Sequence, residues 1–457
     1  MNYGAWKALT VVGAVFAAAT LPGALRTAVV ATPVAAFSAA EPQDGKPLPP
    51  QPPAPIPKFE GPVVVLTGNE RGFIRPCGCS KPKLGGIDRR AHAIAKLREK
   101  NPLLAAVSTG GLITEGGRQQ ELKMDAFLIA LSAMNYAAFV PGADDFKIGA
   151  QALVERKGMC SFPMVLANAK VGETAFDGQA KLGDTGGVVI GLVEPMAPAT
   201  GVLVTPAAPA LARELKTCAD AGFILVVYNG PEEHLDALVD AVPEALRTKT
   251  TFAVPGYSDM PIVTAKPAKG VPVVVPGGKG RAIGLLLPGK KPLFDSYTLV
   301  EKLPADETAA EILASYRRFV REENLVTALN RVPAKAAYVG DRKCKECHAQ
   351  AHDDLEDSKH QKAMETLEKS GDDRDPECVK CHVTGWALEG GYVDLDKTPE
   401  RKDIDCEHCH GPGADHVASL AKTPGGKVDQ STCVKCHDPD NSPQFKFETY
   451  WPKIVHR

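Results

Sequence analysis

Cys344-Lys345-Glu346-Cys347-His348, Cys378-Val379-Lys380-Cys381-His382, Cys406-Glu407-His408-Cys409-His410 and Cys433-Val434-Lys435-Cys436-His437 repeat one pattern near the carboxyl terminus. Cys-x-x-Cys-His is the attachment spacing of c-type haem. The two thiols bond to the porphyrin edge and the adjacent imidazole reaches the iron. Zinc also takes cysteine pairs, but its tetrahedral chemistry does not call for a histidine after every second cysteine. From Tyr338 onward large aliphatic residues thin out while Cys, His, Lys and Asp rise. So polar a segment cannot build an apolar core of useful size. Four covalently attached porphyrins would supply one, which predicts cofactor-dependent folding of a mostly α-helical multihaem domain over residues 338–457.

Cys344, Cys347, Cys378, Cys381, Cys406, Cys409, Cys433 and Cys436 would hold the porphyrins, with His348, His382, His410 and His437 as proximal ligands. The second axial position decides what each haem does: a second His closes it, an open one admits small ligands. Outside the motifs the segment holds His352, His360, His416 and His456. His352 lies one helical turn after His348 and reads as a surface or packing residue. His408, at a variable position inside its motif, reads as exposed. The second motif is followed by Val383-Thr384-Gly385-Trp386 and a glycine-rich loop without histidine. Its haem is the expected open one.

The stretches Tyr338 to His348 and Ser358 to Leu367 resemble the tetrahaem cytochrome c-554 family. So do Cys381-His-Val-Thr-Gly385, Cys406 to Gly413 followed by His416, and the ending Tyr450-Trp-Pro-Lys-Ile-Val-His456. The resemblance implies that His360, His416 and His456 are distal ligands. It also implies three haems ligated by two histidines each and stacked in close pairs.

The amino terminus supports this chemistry. Lys7 precedes an apolar run from Ala8 to Leu21, followed by Pro22-Gly23 and the cleavage contexts Ala36-Phe-Ser38 and Ser38-Ala-Ala40. That is a secretory layout, with an uncleaved anchor as its alternative. The run is shorter than the ~20 residues that span a bilayer. Residues 1–40 are thus a signal peptide or N-terminal anchor, and the expected location is periplasmic or otherwise extracytoplasmic. Residues 41–58 form a proline-rich, stiff linker. Charge is nearly balanced (53 Lys and Arg against 55 Asp and Glu), so neither nucleic acid nor a polybasic membrane surface is indicated. The membrane enters only through the possible anchor.

Between the linker and the haem motifs, apolar strands alternate with amphipathic helices. Strands are expected at Val63–Leu66, Leu103–Val107, Phe139–Val140, Met164–Leu166, Val188–Ile190, Ile224–Val227, Thr251–Val254 and Val271–Val275. Helices are expected over Arg89–Lys100 (inner face Ala91, Ile94, Ala95 and Leu97), Lys123–Met134, Ala207–Ala221 and Glu232–Val242. The pattern predicts a layered α/β domain over residues 59–300. Asp306 then caps a helix reaching about Leu329, and residues 301–337 read as the connector that docks the two domains.

Gly68-Asn-Glu-Arg-Gly72 and Gly85-Gly-Ile-Asp-Arg-Arg90 resemble metallophosphatases of the 5′-nucleotidase and UDP-sugar hydrolase type. Val107 to Gly111, Val140 to Phe146 and Val254 to Asp259 resemble them more loosely. The resemblance implies a β-sandwich flanked by helices. Two-metal chemistry needs carboxylates and histidines at the strand ends. The matching positions read Asn69-Glu-Arg71, Gly110-Gly111, Gly142-Ala-Asp-Asp145 and Gly256-Tyr-Ser-Asp259. His92 and His234 match no ligand position. No ordinary dinuclear phosphatase activity is expected, and no catalytic residue is assigned. Gly68, Gly72, Gly85 and Gly86 read as backbone landmarks.

The resemblance places Arg75-Pro-Cys77-Gly-Cys79 at the rim of that degenerate site. Cys77 and Cys79 can chelate a soft metal, join in a strained disulfide or exchange thiol for disulfide, or one of them can close a structural disulfide with Cys160 or Cys218. The leading functional reading is an exported tetrahaem electron carrier that exchanges electrons with another cytochrome or an oxidoreductase. The α/β domain would then be a docking or redox scaffold. The alternatives are an oxidoreductase acting on a small nitrogen oxide at an open haem, and a phosphohydrolase with appended haems.

Overall fold

The computed structural model describes residues 52–77, 82–194, 201–256, 258, 260–263, 268–289, 292–420 and 428–456. The signal-like run, its cleavage contexts, most of the proline-rich linker and Cys79 lie outside these residues. Among the described residues no helix is long and apolar enough to cross a membrane.

The α/β part is built on two sheets. The first runs, in spatial order, Leu293–Thr298, Ala282–Leu287, Val63–Thr67, Leu104–Ser108 and Ala138–Phe139. Val64 pairs antiparallel with Leu286 on one side and parallel with Ala105 on the other. Every residue from Val63 to Thr67 is buried, the expected outcome for a strand covered on both faces. The second sheet runs Ile262–Val263, Val273–Val275, Thr250–Ala253, Phe223–Asn229, Gly187–Val193 and Gln179–Lys181. Its inner pairings are parallel and both edge strands are antiparallel.

Side-chain alternation sets the layers. Phe223, Leu225 and Val227 join Val63–Leu66 of the first sheet in one core. Ile224, Val226 and Tyr228, on the opposite face, join Leu211 and Leu238 of the covering helices. The helices Ile87–Lys100 and Arg118–Ala133 bury Ile94, Leu97, Phe127 and Leu131 in the same core as the first sheet. The result is two facing sheets with helices outside, a layered α/β sandwich. Each Val or Leu buried there contributes about 1.5–3 kcal/mol relative to exposure.

Local differences from the expected elements have local causes. In the first helix Ala93 is buried and Ala95 is exposed, so the inner face is Ala91, Ala93, Ile94 and Leu97. Met164 and Val165 make isolated bridges to Phe139 and Asp177 rather than a strand. The helix from Ala207 stops at Leu215, because Lys216, Thr217 and Cys218 turn back to carbonyls three residues earlier. Residues 232–242 form a short 3₁₀ turn followed by the helix Leu235–Asp240. The Asp306 side chain caps Glu307–Glu322 as expected, but that helix ends well before Leu329. Asn324, with φ of 47°, turns the chain out of it. Gly85 is a landmark for a backbone reason: its φ is 85°, and a Cβ there would lie 2.7 Å from the Gly280 carbonyl oxygen.

The haem-motif part consists of short helices around a small apolar cluster, with Val326, Met364, Leu367, Val379, Val383 and Tyr392 buried together. The sandwich and this part lie within one compact unit that begins at Asp44.

Candidate functional site

The third motif forms the helix Cys406–His410, while the first cysteines of the other three fall at or near the ends of the short helices Asp341–Lys345, Pro376–Val379 and Gln430–Cys433; acidic caps hold three of the four helices. Asp375 caps Pro376–Val379, Asp405 caps Cys406–His410, and Asp429 caps Gln430–Cys433. An aspartate at that position satisfies an N–H left open by the first turn. Glu407, inside the third motif, is buried. Its carboxylate pairs with Arg401 at 2.9 Å and accepts from the backbone N–H groups of Val339, Gly340 and Gly413. This ties the entry of the first motif to the third. The thiols of Cys344 and Cys406 are close enough to shift each other's ionisation, and so are those of Cys381 and Cys436. First and third motifs are therefore neighbours, as are second and fourth. Gly385, after the second motif, has φ of 71°, and a Cβ there would lie 2.6 Å from the Gly391 Cα.

The histidines come together in pairs. The ring centres of His348 and His416 are 6.2 Å apart, those of His360 and His437 6.1 Å, and those of His410 and His456 5.9 Å. A metal–imidazole bond of about 2 Å on each side of one ion puts the two ring centres about 6 Å apart. The three pairs therefore fit iron held between two imidazoles. Among the described residues no histidine faces His382 in this way. Its Nδ1 lies 2.6 Å from the Ala363 carbonyl oxygen. A carbonyl only accepts, so Nδ1 carries the proton and Nε2 keeps its lone pair. Burial pushes His360, His410 and His437 below the ordinary imidazole range, and nearby imidazoles act in the same direction on the first two. Neutral imidazole is the form that ligates iron.

Two other histidines behave differently. His352 is buried against Asp341 and Glu356, 3.6 Å from each. Lys345, 2.9 Å from Asp353, already supplies the cation of that acidic group. His408 is half-buried, not exposed. Its Nδ1 donates to the Val383 carbonyl at 3.0 Å, which draws the third motif against the second.

Residues 343–411 match the family described as cytochrome c554 and c-prime. A cytochrome c-554 of Nitrosomonas europaea is 34% identical over 103 residues, covering 19% of this chain and 44% of that protein. The chain thus spans less than half the length of that relative. The cytochrome c554-like segment contains the first three motifs, and the fourth lies beyond it. Similar solved structures include a 5′-nucleotidase precursor of Thermus thermophilus, at TM-score 0.48 and 18% identity, covering 62% of each chain. An NAD nucleotidase of Haemophilus influenzae is similar at TM-score 0.48 and 14% identity, covering 62% of this chain and 64% of the other.

At the strand ends of the sandwich, Gly111, Gly142 and Asp145, three of the positions expected to have lost metal ligands, are joined by hydrogen bonds. The Asp145 carboxylate accepts from the N–H groups of Gly111, Leu112 and Gly142 at 2.7 to 2.8 Å. The amide of Asn229 donates to the Thr109 carbonyl at 3.0 Å. Glu70 is fully buried and pairs with Arg90 at 2.5 Å. His92 is half-buried on its helix, and exposed His234 lies 2.7 Å from Glu194. Among the described residues, no cluster of potential metal ligands forms at these strand ends.

Cys160 and Cys218 are free thiols. Cys160 hydrogen-bonds to the Arg156 carbonyl and Cys218 to Gln179. Cys77 lies on a two-residue strand, pairing with Leu84.

Next to it lies a contact that sequence reasoning missed. Arg75 reaches into the second motif: Nη2 donates to Asp375 at 2.7 Å and to the Cys378 sulfur at 3.1 Å, and Nη1 pairs with Asp372. Gln119 donates to Asp375 at 2.7 Å, Gln120 to Glu377 at 2.9 Å, and buried Lys123 pairs with Glu377. From the helix after the sandwich, Arg317 and Arg321 hold Asp372 and Asp373 at 2.9 and 2.6 Å. The fourth motif is touched as well, since Asp440 pairs with Lys279 at 2.6 Å and Arg281 at 3.2 Å. The acidic run Asp372-Asp373-Arg374-Asp375-Pro376-Glu377 was the signal available in the sequence.

Proposed function

We propose that this chain is an extracytoplasmic tetrahaem electron-transfer protein of the cytochrome c-554 type. Four covalently attached haems c would supply one-electron redox chemistry. The eight motif cysteines would anchor them, and His348, His382, His410 and His437 would be their proximal ligands. His416, His360 and His456 would close the distal positions of the first, fourth and third motifs respectively. The observation that carries this reading is the set of three imidazole pairs at 5.9 to 6.2 Å with His382 left out.

Closed axial positions suit electron relay, since nothing must bind or leave when charge moves. The chain's own contribution is to fix these rings: the carbonyl of Ala363 orients His382 and the Ser442 hydroxyl holds Nδ1 of His437 at 3.0 Å. Residues 338–457 would form the haem domain, joined by residues 301–337 to a sandwich over residues 59–300 that serves as scaffold and docking face. The redox partner would be another cytochrome or an oxidoreductase. The membrane would be involved only through residues 1–40. Cys77 and Cys79 would form a redox-active or disulfide-forming pair, with Cys77 two residues beyond the Arg75 that reaches Cys378.

The unpaired His382 favours one second reading, binding or turnover of a small nitrogen oxide at the second haem. A pyridine haemochrome count joined to electron paramagnetic resonance of the oxidised protein tests both. Four haems, three low-spin and one high-spin that responds to nitric oxide, are expected. Colourless or zinc-loaded exported protein would overturn the proposal, and four low-spin centres would remove the second reading.

A further inference from the structure

The haem-motif part meets the sandwich where Arg75 crosses to the second motif. Its side chain is only 18% exposed, and the guanidinium divides its donors among Asp372, Asp375 and the Cys378 sulfur. In the haem-bearing protein that sulfur is a thioether to the porphyrin and keeps a lone pair for the same hydrogen bond. An arginine is charged at every relevant pH. A cation held against the attachment sulfur disfavours the oxidised, more positive state of the iron beyond it. Asp372 and Asp375 oppose this effect, and Arg317 withdraws part of Asp372 at 2.9 Å. Arg75 is the cation bonded to the sulfur itself.

We propose that Arg75 is a positioning residue that raises the reduction potential of the second motif's haem and makes the sandwich a structural part of that haem's site. The proposal rests on the reading that the second motif carries a haem without a second histidine. It assigns the α/β part a role beyond scaffolding, because the sandwich would tune the one centre that is open to ligands. Among the described residues Arg75 bonds to neither the first nor the third motif, so their centres are internal references. The effect requires the charge of Arg75 and only secondarily its forked shape.

Potentiometric titration of the full-length haem-bearing chain, followed by visible and paramagnetic resonance spectra, tests it. In Arg75→Gln the high-spin centre should become about tenfold harder to reduce relative to the other three, a shift of about 59 mV for a one-electron couple. Arg75→Lys should retain most of the wild-type value. Asp372→Asn should move the same centre the opposite way and supplies the decision where Arg75→Gln does not accumulate. Unmoved transitions in Arg75→Gln, equal movement of all four, or an unmoved or lowered high-spin centre in Asp372→Asn would overturn the proposal. Failure of the underlying reading would look different: wild-type protein lacking four haems, or lacking a high-spin centre, before any substitution is made.

Discussion

His348 and His416 face each other with ring centres 6.2 Å apart and planes 30° from parallel. One is placed by the first haem motif, the other by the helix Ala414–Ser419 beyond the third. A distance of about 6 Å fits two imidazoles on one iron. Replacing His416 by Ala should therefore convert one low-spin centre to high-spin while all four haems stay attached. Resonance spectra of the oxidised protein, with a haemochrome count, read this directly. His352→Gln should leave the spin states unchanged, since His352 packs on Asp341 and Glu356. An unaltered low-spin count in the His416 variant would remove the pairing.

The buried pair of Glu70 and Arg90 predicts a stability effect far from any haem. Both side chains are at most 1% exposed, and burial raises the Glu70 carboxyl above its usual range against the pull of Arg90. Removing one partner leaves an uncompensated buried group, which typically costs about 3–5 kcal/mol. Arg90→Met should lose an amount of this order in denaturant titration. The double variant Glu70→Gln/Arg90→Met should recover part of it.

The motif spacing and the sheet strands were legible in the sequence because each follows a local rule. Thioether chemistry fixes Cys-x-x-Cys-His, and β-branched runs such as Val63-Val-Val-Leu66 have few places to go except a doubly covered strand. Which spare histidine meets which motif was not legible, since the ring of His360 comes to His437 and that of His456 to His410 only through tertiary closure. His408 looked exposed because its position in the motif is free of chemical constraint. Its burial comes from the Val383 carbonyl, which only the folded chain brings near. The Arg75–Cys378 contact joins residues on two separate parts of the chain, and no periodicity signals such a pair.

Cys160 offers a test of thiol chemistry. Burial pushes its thiol up to about 12, and the Arg156 carbonyl accepts from it. The thiolate is the reactive form, so Cys160 should resist alkylation at neutral pH. Peptide mass spectrometry after brief iodoacetamide treatment should find it modified more than tenfold faster in denaturant than in native protein. Equal labelling would show that the helix end around Arg156 opens readily.

Asp145 provides a pH signature for the strand ends of the sandwich. Burial pushes its carboxyl up to about 6, although three backbone N–H groups pull the other way. Between the ordinary aspartate value and that raised one, the folded state binds more protons at this site than the unfolded state. Its contribution to stability is thus greatest below about pH 4 and falls as pH rises through about 6. Asp145→Asn has no titration there and turns an amide toward backbone donors, at a cost of about 1–3 kcal/mol. Denaturant midpoints across the mildly acidic range up to neutrality should show the deficit of the variant shrinking as pH rises. A deficit that grows with pH would mean that the N–H bonds outweigh burial, with the Asp145 carboxylate ionised in the native protein throughout this range.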